Sequence, residues 1–169
     1  MHIIKTIDFS LMNWVQEHFR TKMMDRVMLF SSRLGDGGLI WIIYALLFAL
    51  SREKRDVALA LTLCVTVCAL VGNFAIKPLF KRTRPCNRDN ERPLLLARPE
   101  DSSFPSCHTM TSFAATVMVW QAGGVLGLTS FVFASLISYS RIYLYVHYPS
   151  DVLIGAALGL ATGKLFLIS

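Results

Sequence analysis

Long runs of apolar residues without charge divide the chain and predict helices that cross a membrane. Residues 37–51 and 57–76 carry no charged side chain, and neither do residues 109–140. The run at 152–169 contains a single charged residue, Lys164. Because a helix needs about 20 apolar residues to cross a hydrocarbon core of about 30 Å, these runs predict membrane spans.

Two of these runs differ in length from a single span. At about 1.5 Å per residue, residues 109–140 would extend over about 48 Å. We expect the Gln-Ala-Gly-Gly sequence at 121–124 to form a turn that divides this run into two helices. The run at 37–51 is short, and we expect it to be extended by residues 27–34. The pattern therefore predicts five spans.

Residues 3–18 show a different pattern, in which apolar positions recur at helical spacing between charged ones. The apolar members of this pattern are Ile4, Ile7, Leu11, Trp14 and Val15. Such a pattern is typical of an amphipathic helix that lies in the membrane interface. We therefore predict an all-α membrane protein with a helical bundle of about five transmembrane helices. It forms one domain over residues 1–169, with the interfacial helix in 1–21 and the bundle in 22–169.

The composition supports a membrane protein and indicates anionic partners. Hydrophobic residues make up 54% of the chain and the mean hydropathy is +0.50, which excludes an ordinary soluble domain. The net charge is +6, and many of the cations lie between Lys77 and Arg98. Such a cluster favours contact with lipid head groups or phosphates. We expect membrane lipids as partners and no nucleic acid, and the oligomeric state stays open.

Three polar clusters lie at the ends of the predicted spans. The first runs from Lys77 to Arg84-Pro85, the second is Pro105-Ser106-Cys107-His108, and the third joins Ser140-Arg141 to His147 and Asp151. A loop without a span separates the first two, and two spans separate the second from the third. All three clusters are therefore expected on the same face of the membrane.

The residue types in these clusters suit the binding of a phosphoryl group. Lys77, Arg84 and Arg141 supply three cations, which stabilise the charge of a phosphoryl group in transfer. Pro105 suits the first position of a helix. The backbone N–H groups of the three residues that follow would then form an anion site at the helix N-terminus. Most other cations of the loop, Lys81, Arg82, Arg88, Arg92 and Arg98, are most simply solvated.

Two histidines supply the remaining chemistry. We predict that His147, on a loop, is the nucleophile, and that Asp151 accepts the other ring N–H of this histidine and fixes its tautomer. His108 would protonate the leaving group and then activate water. Since the sequence offers no cluster of carboxylates for magnesium, we expect neither a metal nor another cofactor.

The three clusters, in this order and spacing, resemble the type 2 phosphatidic acid phosphatase superfamily of membrane lipid phosphatases. The resemblance covers roughly residues 22–169. It implies that His147 becomes the phosphohistidine, that Asp151 orients it, and that His108 is the acid–base group. It also implies a phosphate site, formed by Lys77, Arg84, Ser106, Cys107 and Arg141.

The resemblance has one departure and one consequence for topology. Cys107 stands where the family has glycine, and its side chain changes the space near the phosphate. The family places its site outside the cytoplasm, whereas a count of cations between residues 77 and 98 favours the cytoplasmic side. Several of those cations are explained by phosphate binding, so we expect a multi-pass protein of the cell membrane with an extracytoplasmic site.

We therefore predict a membrane lipid phosphatase, an enzyme acting on a lipid phosphate or diphosphate of the polyprenyl diphosphate or phosphatidylglycerophosphate type. A membrane protein that only binds anionic head groups is the alternative, although pure binding requires no pair of histidines. Vanadium-dependent haloperoxidases use the same constellation but are soluble. A disulfide between Cys86 and Cys107 is a weaker hypothesis beside that of two free thiols.

Overall fold

The computed structural model describes residues 2–89 and 92–167, and these residues form helices and connecting turns without a strand. The α-helices of the described residues are α1 His2–Phe19, α2 Lys22–Gly35, α3 Leu39–Ala49, α4 Arg55–Leu70, α5 Lys77–Phe80, α6 Cys107–Trp120, α7 Gly124–Tyr143 and α8 Pro149–Leu165. Short 3₁₀ turns lie at Asp36–Gly38, Arg52–Lys54 and Pro85–Asn87, and a π-helical segment, Val71–Ile76, joins α4 to α5. The predicted all-α fold class is confirmed.

The predicted spans correspond to five parts of this bundle: α2 with α3, α4 with α5, α6, α7 and α8. The predicted turn within residues 109–140 is present, because α6 ends at Trp120 and α7 begins at Gly124. Three stretches of the described chain are long and apolar enough to cross a membrane by themselves, Lys22–Ala49, Arg52–Asn87 and Gly124–Tyr143. Helices α6 and α8, of 14 and 17 residues, are shorter. The end of the last predicted span, at residues 168 and 169, lies outside the described residues.

Helix α6 lies at the centre of the bundle and packs against α8, α7 and α4. Helix α3 packs on α4, and α2 packs on α7. The core between them contains fully buried small and large apolar side chains, including Trp41, Leu61, Ala114 and Met118. The indole N–H of Trp41 donates to the Ser112 hydroxyl at 3.3 Å, so this buried polar group is satisfied.

Helix α8 approaches α6 closely along a stripe of glycines at every fourth position, Gly155, Gly159 and Gly163. A methyl group on Gly155 would lie 2.7 Å from the carbonyl oxygen of Ser106, and one on Gly163 would lie 2.8 Å from Cβ of Val117. Small residues at this spacing let two helix backbones pack within a membrane. The stripe therefore fixes the N-terminus of α8 beside that of α6.

The N-terminal helix α1 lies against the bundle through one face and leaves the other face exposed. Asp8, Met12 and Val15 are buried, whereas Ile4 and Leu11 are 56% and 46% exposed. The predicted helix is thus confirmed, and its exposed apolar face fits contact with lipid. Its position in the interface stays a prediction.

The cysteine at the family's glycine position packs against a glycine of another segment. Cys107 is buried, and a methyl group on Gly72 would lie 2.6 Å from its sulfur. Gly72 belongs to the π-helical segment between α4 and α5. All four cysteines of the chain are free thiols, so Cys86 and Cys107 are not bridged.

We expect Gly72→Ala to destabilise the protein through contact with the Cys107 thiol. Overpacking of a core costs about 1–3 kcal/mol, which lowers Tm by roughly 2–4 °C per kcal/mol for a chain of this size. The double variant Gly72→Ala/Cys107→Gly removes the sulfur and should regain most of the loss. Thermal unfolding of the purified variants in detergent measures both, with Cys107→Gly as the matched control. A double variant as unstable as Gly72→Ala would contradict this packing.

Candidate active site

The three sequence clusters meet around one cavity of about 410 Å³ at one end of the bundle. Its wall contains six of the predicted site residues: Lys77, Arg84, Cys107, His108, Arg141 and His147. The other two, Ser106 and Asp151, are fully buried and are not part of this wall. The clusters were predicted to lie on one face of the membrane. In the structure their residues, from α5, α6, α7 and the adjoining loops, meet around this cavity.

His147 lies on the short loop between α7 and α8 and is 1% exposed. Its Nδ1 is 2.6 Å from the carbonyl oxygen of Ser103. Since a carbonyl oxygen only accepts, Nδ1 carries the proton and donates it to Ser103. The other nitrogen, Nε2, then has a free electron pair and accepts from Nη1 of Arg84 at 3.0 Å. The nitrogen of the predicted nucleophile is thus directed towards Arg84, one of the cations predicted to bind phosphate.

The surroundings of His147 favour its neutral form. Burial lowers the pKa of this imidazole well below 6.5, and the positive charges of Arg84 and Arg141 lower it further. A neutral imidazole at neutral pH retains the electron pair that an attack on phosphorus requires.

Asp151 has a different role from the one expected from its spacing. Its Oδ2 lies 3.8 Å from Nδ1 of His147, too far for a hydrogen bond. The carboxylate instead accepts from the backbone N–H of Tyr148 at 3.0 Å and from Arg82 at 2.6 Å. The tautomer of His147 is therefore fixed by the Ser103 carbonyl, while Asp151 orders the loop and supplies a nearby negative charge.

Two of the cations share a carboxylate that sequence reasoning missed. Lys77 Nζ donates to Asp101 at 2.6 Å, and Arg84 donates to the other oxygen of the same carboxylate at 2.7 Å. Burial opposes the ionisation of Asp101, but the hydrogen bond from Lys77 and the charge of Arg84 outweigh it, and its pKa is lowered. Its side chain is 49% exposed, although it is paired twice. A single aspartate within a polar loop gives no signal in the sequence.

Asn73 holds Lys77 from the other side. An asparagine within a membrane span commonly forms a hydrogen bond to another helix. The amide N–H of Asn73 instead donates to Ala69 of its own helix at 2.9 Å, and its oxygen accepts from Lys77 at 2.8 Å. Asn73 therefore orients a cation of the site.

Arg141 and His108 complete the wall of the cavity. Arg141 donates to the hydroxyl of Ser32, and its buried Nε has no hydrogen-bond partner among the described residues. An unsatisfied guanidinium donor at a cavity suits an anionic ligand. His108 Nε2 donates to Asp36 at 2.8 Å. Asp36 lies in the turn between α2 and α3, where the sequence showed only a break rich in glycine.

The N-terminus of α6 differs from expectation by two residues. The helix begins at Cys107 with Ser106 as its N-cap, so Pro105 precedes the cap and is not the first helical residue. The N–H of Ser106 is donated to the carbonyl of Asp151 at 3.2 Å. The anion site predicted at this helix end would consequently consist of the N–H groups of the first turn, beginning with Cys107 and His108.

An apolar groove of about 330 Å³ continues from the cavity between α3 and α4. The two spaces share Gly37, Val65 and Ala69. Further along, the groove is lined by Trp41, Leu61 and other apolar side chains. Polar and apolar binding surfaces are thus continuous at this end of the bundle.

No group of three or more His, Cys, Asp or Glu residues that could hold a metal ion occurs in residues 2–89 and 92–167. The donors around the cavity are mainly cationic, which suits an anion better than a metal ion. Independence from metal ions stays a prediction.

Comparison with known proteins assigns this chain to a family. Residues 57–169 match the PAP2 superfamily. Decaprenylphosphoryl-5-phosphoribose phosphatase of Mycobacterium tuberculosis is 34% identical over 139 residues, which cover 79% of this chain and 73% of that protein. Undecaprenyl-diphosphatase of Sulfolobus acidocaldarius is 29% identical over 152 residues, covering 89% and 71%.

Solved structures show the same fold. LpxE of Aquifex aeolicus superimposes with a TM-score of 0.76 at 25% identity, covering 95% of this chain and 94% of that one. A PAP2-type phosphatidylglycerolphosphate phosphatase of Bacillus subtilis has a TM-score of 0.81 at 24% identity, covering 98% and 85%. The predicted family and the predicted function of a membrane lipid phosphatase are confirmed, and the chain belongs to the PAP2 superfamily.

Proposed function

We propose that this chain hydrolyses a polyprenyl-type lipid phosphate or diphosphate through a phosphohistidine on His147. The observation that carries the proposal is the convergence of three cations, Lys77, Arg84 and Arg141, with His108 and His147 on one cavity. A site that only binds head groups requires the cations but not a neutral, oriented imidazole. The names of the relatives, which include two polyprenyl phosphatases, support the same substrate class.

In the first step, Nε2 of His147 attacks phosphorus and the bond to the leaving oxygen breaks. His108 protonates that oxygen, so the lipid leaves as an alcohol or, from a diphosphate, as a monophosphate. The cations of the cavity stabilise the charge on the phosphoryl oxygens. The imidazole becomes positively charged, and both the Ser103 carbonyl and the Asp151 carboxylate, 3.8 Å away, favour that charge.

In the second step, water attacks the phosphohistidine and the P–N bond breaks. His108, now neutral, takes the proton of the water, and inorganic phosphate is released. A phosphate group that enters must compete with Asp101 for Lys77 and Arg84, because this carboxylate already occupies one donor of each. Asp101 thereby lowers the affinity for the phosphate product as well as for the substrate.

The groove between α3 and α4 supports a lipid substrate. It opens from the reaction cavity and is lined mainly by apolar side chains, so it suits a hydrocarbon chain attached to the phosphate. A small water-soluble phosphate ester would leave these surfaces without a partner.

We place the site on the extracytoplasmic face of the cell membrane, as the family resemblance implies. The connection Arg52–Lys54 lies at the opposite end of α4 from Lys77 and would face the cytoplasm. Its basic residues agree with the positive-inside rule. Labelling of single cysteines introduced at position 53 and at position 88 in intact cells distinguishes the two orientations.

We expect His147→Ala to abolish turnover while the apparent Tm stays near that of the wild type. His18→Ala is the matched control, since His18 is exposed on α1 and its ring stacks on Trp14. Phosphate release from a purified polyprenyl diphosphate measures turnover. Retention of one tenth of the wild-type activity would exclude His147 as the nucleophile. Absence of phosphate release from the wild-type protein would favour the binding protein instead.

We expect full activity in excess chelator and competitive inhibition by vanadate. Vanadate adopts the five-coordinate geometry of the transition state, and the three cations of the cavity should bind it. Phosphate release is measured at fixed micelle composition, so that the chelator does not alter substrate aggregation. A magnesium requirement that persists under these conditions would contradict the proposed site.

The pH dependence of kcat/KM should show an acid limb below pH 6.5. Protonation of His147 inactivates the nucleophile, and because its pKa is lowered from 6.5, protonation occurs only at more acidic pH. Activity is therefore retained as the pH falls through 6.5. Separate titration of the substrate phosphate identifies its own contribution, and an enzyme limb at or above pH 6.5 would contradict a buried, neutral His147.

A further inference from the structure

Arg82 does not line the reaction cavity itself. It lines an adjoining space of about 520 Å³, whose wall also includes Lys77 and Arg84, and its side chain joins three elements of the structure. Nη1 donates to Asp151 at 2.6 Å and to the hydroxyl of Ser150 at 2.8 Å, both at the start of α8. Nη2 donates to Asp8 of α1 at 2.7 Å. The guanidinium carbon lies 4.1 Å from the centre of the Tyr148 ring. The sequence suggested a solvated loop cation, and the structure instead places Arg82 in a network of buried groups.

Asp8 is the second anchor of this network and is 2% exposed. It accepts from the backbone N–H of Ser150 at 2.9 Å and from the hydroxyl of the same residue at 2.6 Å. Ser150 is the second residue of α8, where a backbone N–H has no partner within the helix. A carboxylate of α1 therefore binds the N-terminus of the helix that carries Asp151, which the positive end of the helix dipole also favours.

The network reaches His147 by two routes. Through its side chain, Arg82 holds Asp151, whose other oxygen accepts from the N–H of Tyr148, the residue after His147. Through its backbone carbonyl, Arg82 accepts from the N–H of Ser103 at 2.8 Å. The carbonyl of Ser103 in turn fixes Nδ1 of His147. Displacement of Arg82 would thus loosen both groups that define the orientation of the imidazole.

The negative charges of Asp8 and Asp151 make the guanidinium of Arg82 difficult to replace. Asp8 and Asp151 are both buried, and both are bound by Arg82. Without this cation, two buried carboxylates would lie near each other without compensation, which is strongly unfavourable. Lysine would keep the charge, but it lacks the fork of donors that binds two carboxylates and a hydroxyl together.

We propose that Arg82 is a positioning residue for the phosphohistidine chemistry and that Asp8 makes helix α1 a part of the active site. The inference rests on the proposed function, because it assumes that His147 is the nucleophile. Arg82 acts on the reaction through Asp151 and Ser103 and does not touch the phosphate.

The test compares Arg82→Gln, Arg82→Lys and Asp8→Asn with Arg88→Gln, which removes an exposed cation of the same loop. We expect Arg82→Gln to lower kcat by roughly 10- to 100-fold, by analogy with the loss found when partners that orient metal-ligating side chains are removed. KM for the lipid and the inhibition constant of vanadate should change far less, because both terminal nitrogens of Arg82 are already bound by Ser150, Asp151 and Asp8. Arg82→Lys should be intermediate, and Arg88→Gln should match the wild type.

Asp8→Asn keeps the inference testable if Arg82→Gln fails to fold. It should lower kcat in the same direction, and Asp8→Asn/Arg82→Lys should lose less than the product of the two single effects, because the two side chains act through one contact. Wild-type kcat in Asp8→Asn would overturn the role of α1. A loss of vanadate affinity that parallels the loss of kcat in the Arg82 variants would make Arg82 a phosphate ligand and overturn the positioning role. Substantial activity of His147→Ala would instead remove the proposed function itself.

Discussion

The mutual repulsion of three buried cations governs the arrangement of the active site. Lys77, Arg84 and Arg141 line one cavity, and each is less than one tenth exposed. Charges in such a place are stable only when carboxylates or polar groups compensate them. Asp101 binds two of them from the loop, and Asn73 and Ser32 supply neutral oxygens. The surrounding helices and loops are placed so that these partners reach the cavity without filling it.

The same positive field determines the chemistry of the histidines. Together with burial, it keeps His147 neutral, as the proposed nucleophile must be, but it opposes the protonated form that His108, the proposed proton donor, requires. A carboxylate beside each histidine moderates this conflict, Asp36 at 2.8 Å from His108 and Asp151 at 3.8 Å from His147. The two distances suit the roles proposed for these histidines, since a proton donor gains from a direct partner and a nucleophile from one held slightly apart.

The sequence was sufficient to predict the spans, the turn between α6 and α7, and the three clusters on one face, because hydropathy and the order of the motifs determine them. It did not reveal Asp36, Asp101 or Ser103, each of which acts through one contact that depends on the tertiary fold. A backbone carbonyl such as that of Ser103 leaves no trace in residue identity. The spacing of His147 and Asp151 was read as a hydrogen bond, although the first turn of α8 directs that carboxylate to Tyr148 and Arg82.

The sequence does contain patterns that indicate some of the features missed, namely the glycine stripe of α8 and the contact between Arg82 and Asp8. Glycines at 155, 159 and 163 repeat at every fourth residue, which is typical of close helix packing in membranes. Arg82 lies two residues before Arg84 within the first cluster. Asp8 shares a helix face of α1 with the apolar residues Met12 and Val15, and this face proved buried. A charged residue on the apolar side of an amphipathic helix indicates a buried partner.

The glycine stripe between α6 and α8 makes one half of the bundle rigid around the two histidines, whereas the apolar groove belongs to the other half. Backbones in direct contact leave little freedom, so His108 at the start of α6 and the His147 loop at the start of α8 keep a constant separation. The apolar groove lies on the other side, between α3 and α4, where side chains rather than backbones define the space. With the lipid chain in this groove, as proposed above, a preference for its length or branching can evolve on α3 and α4, while the reaction itself stays unchanged.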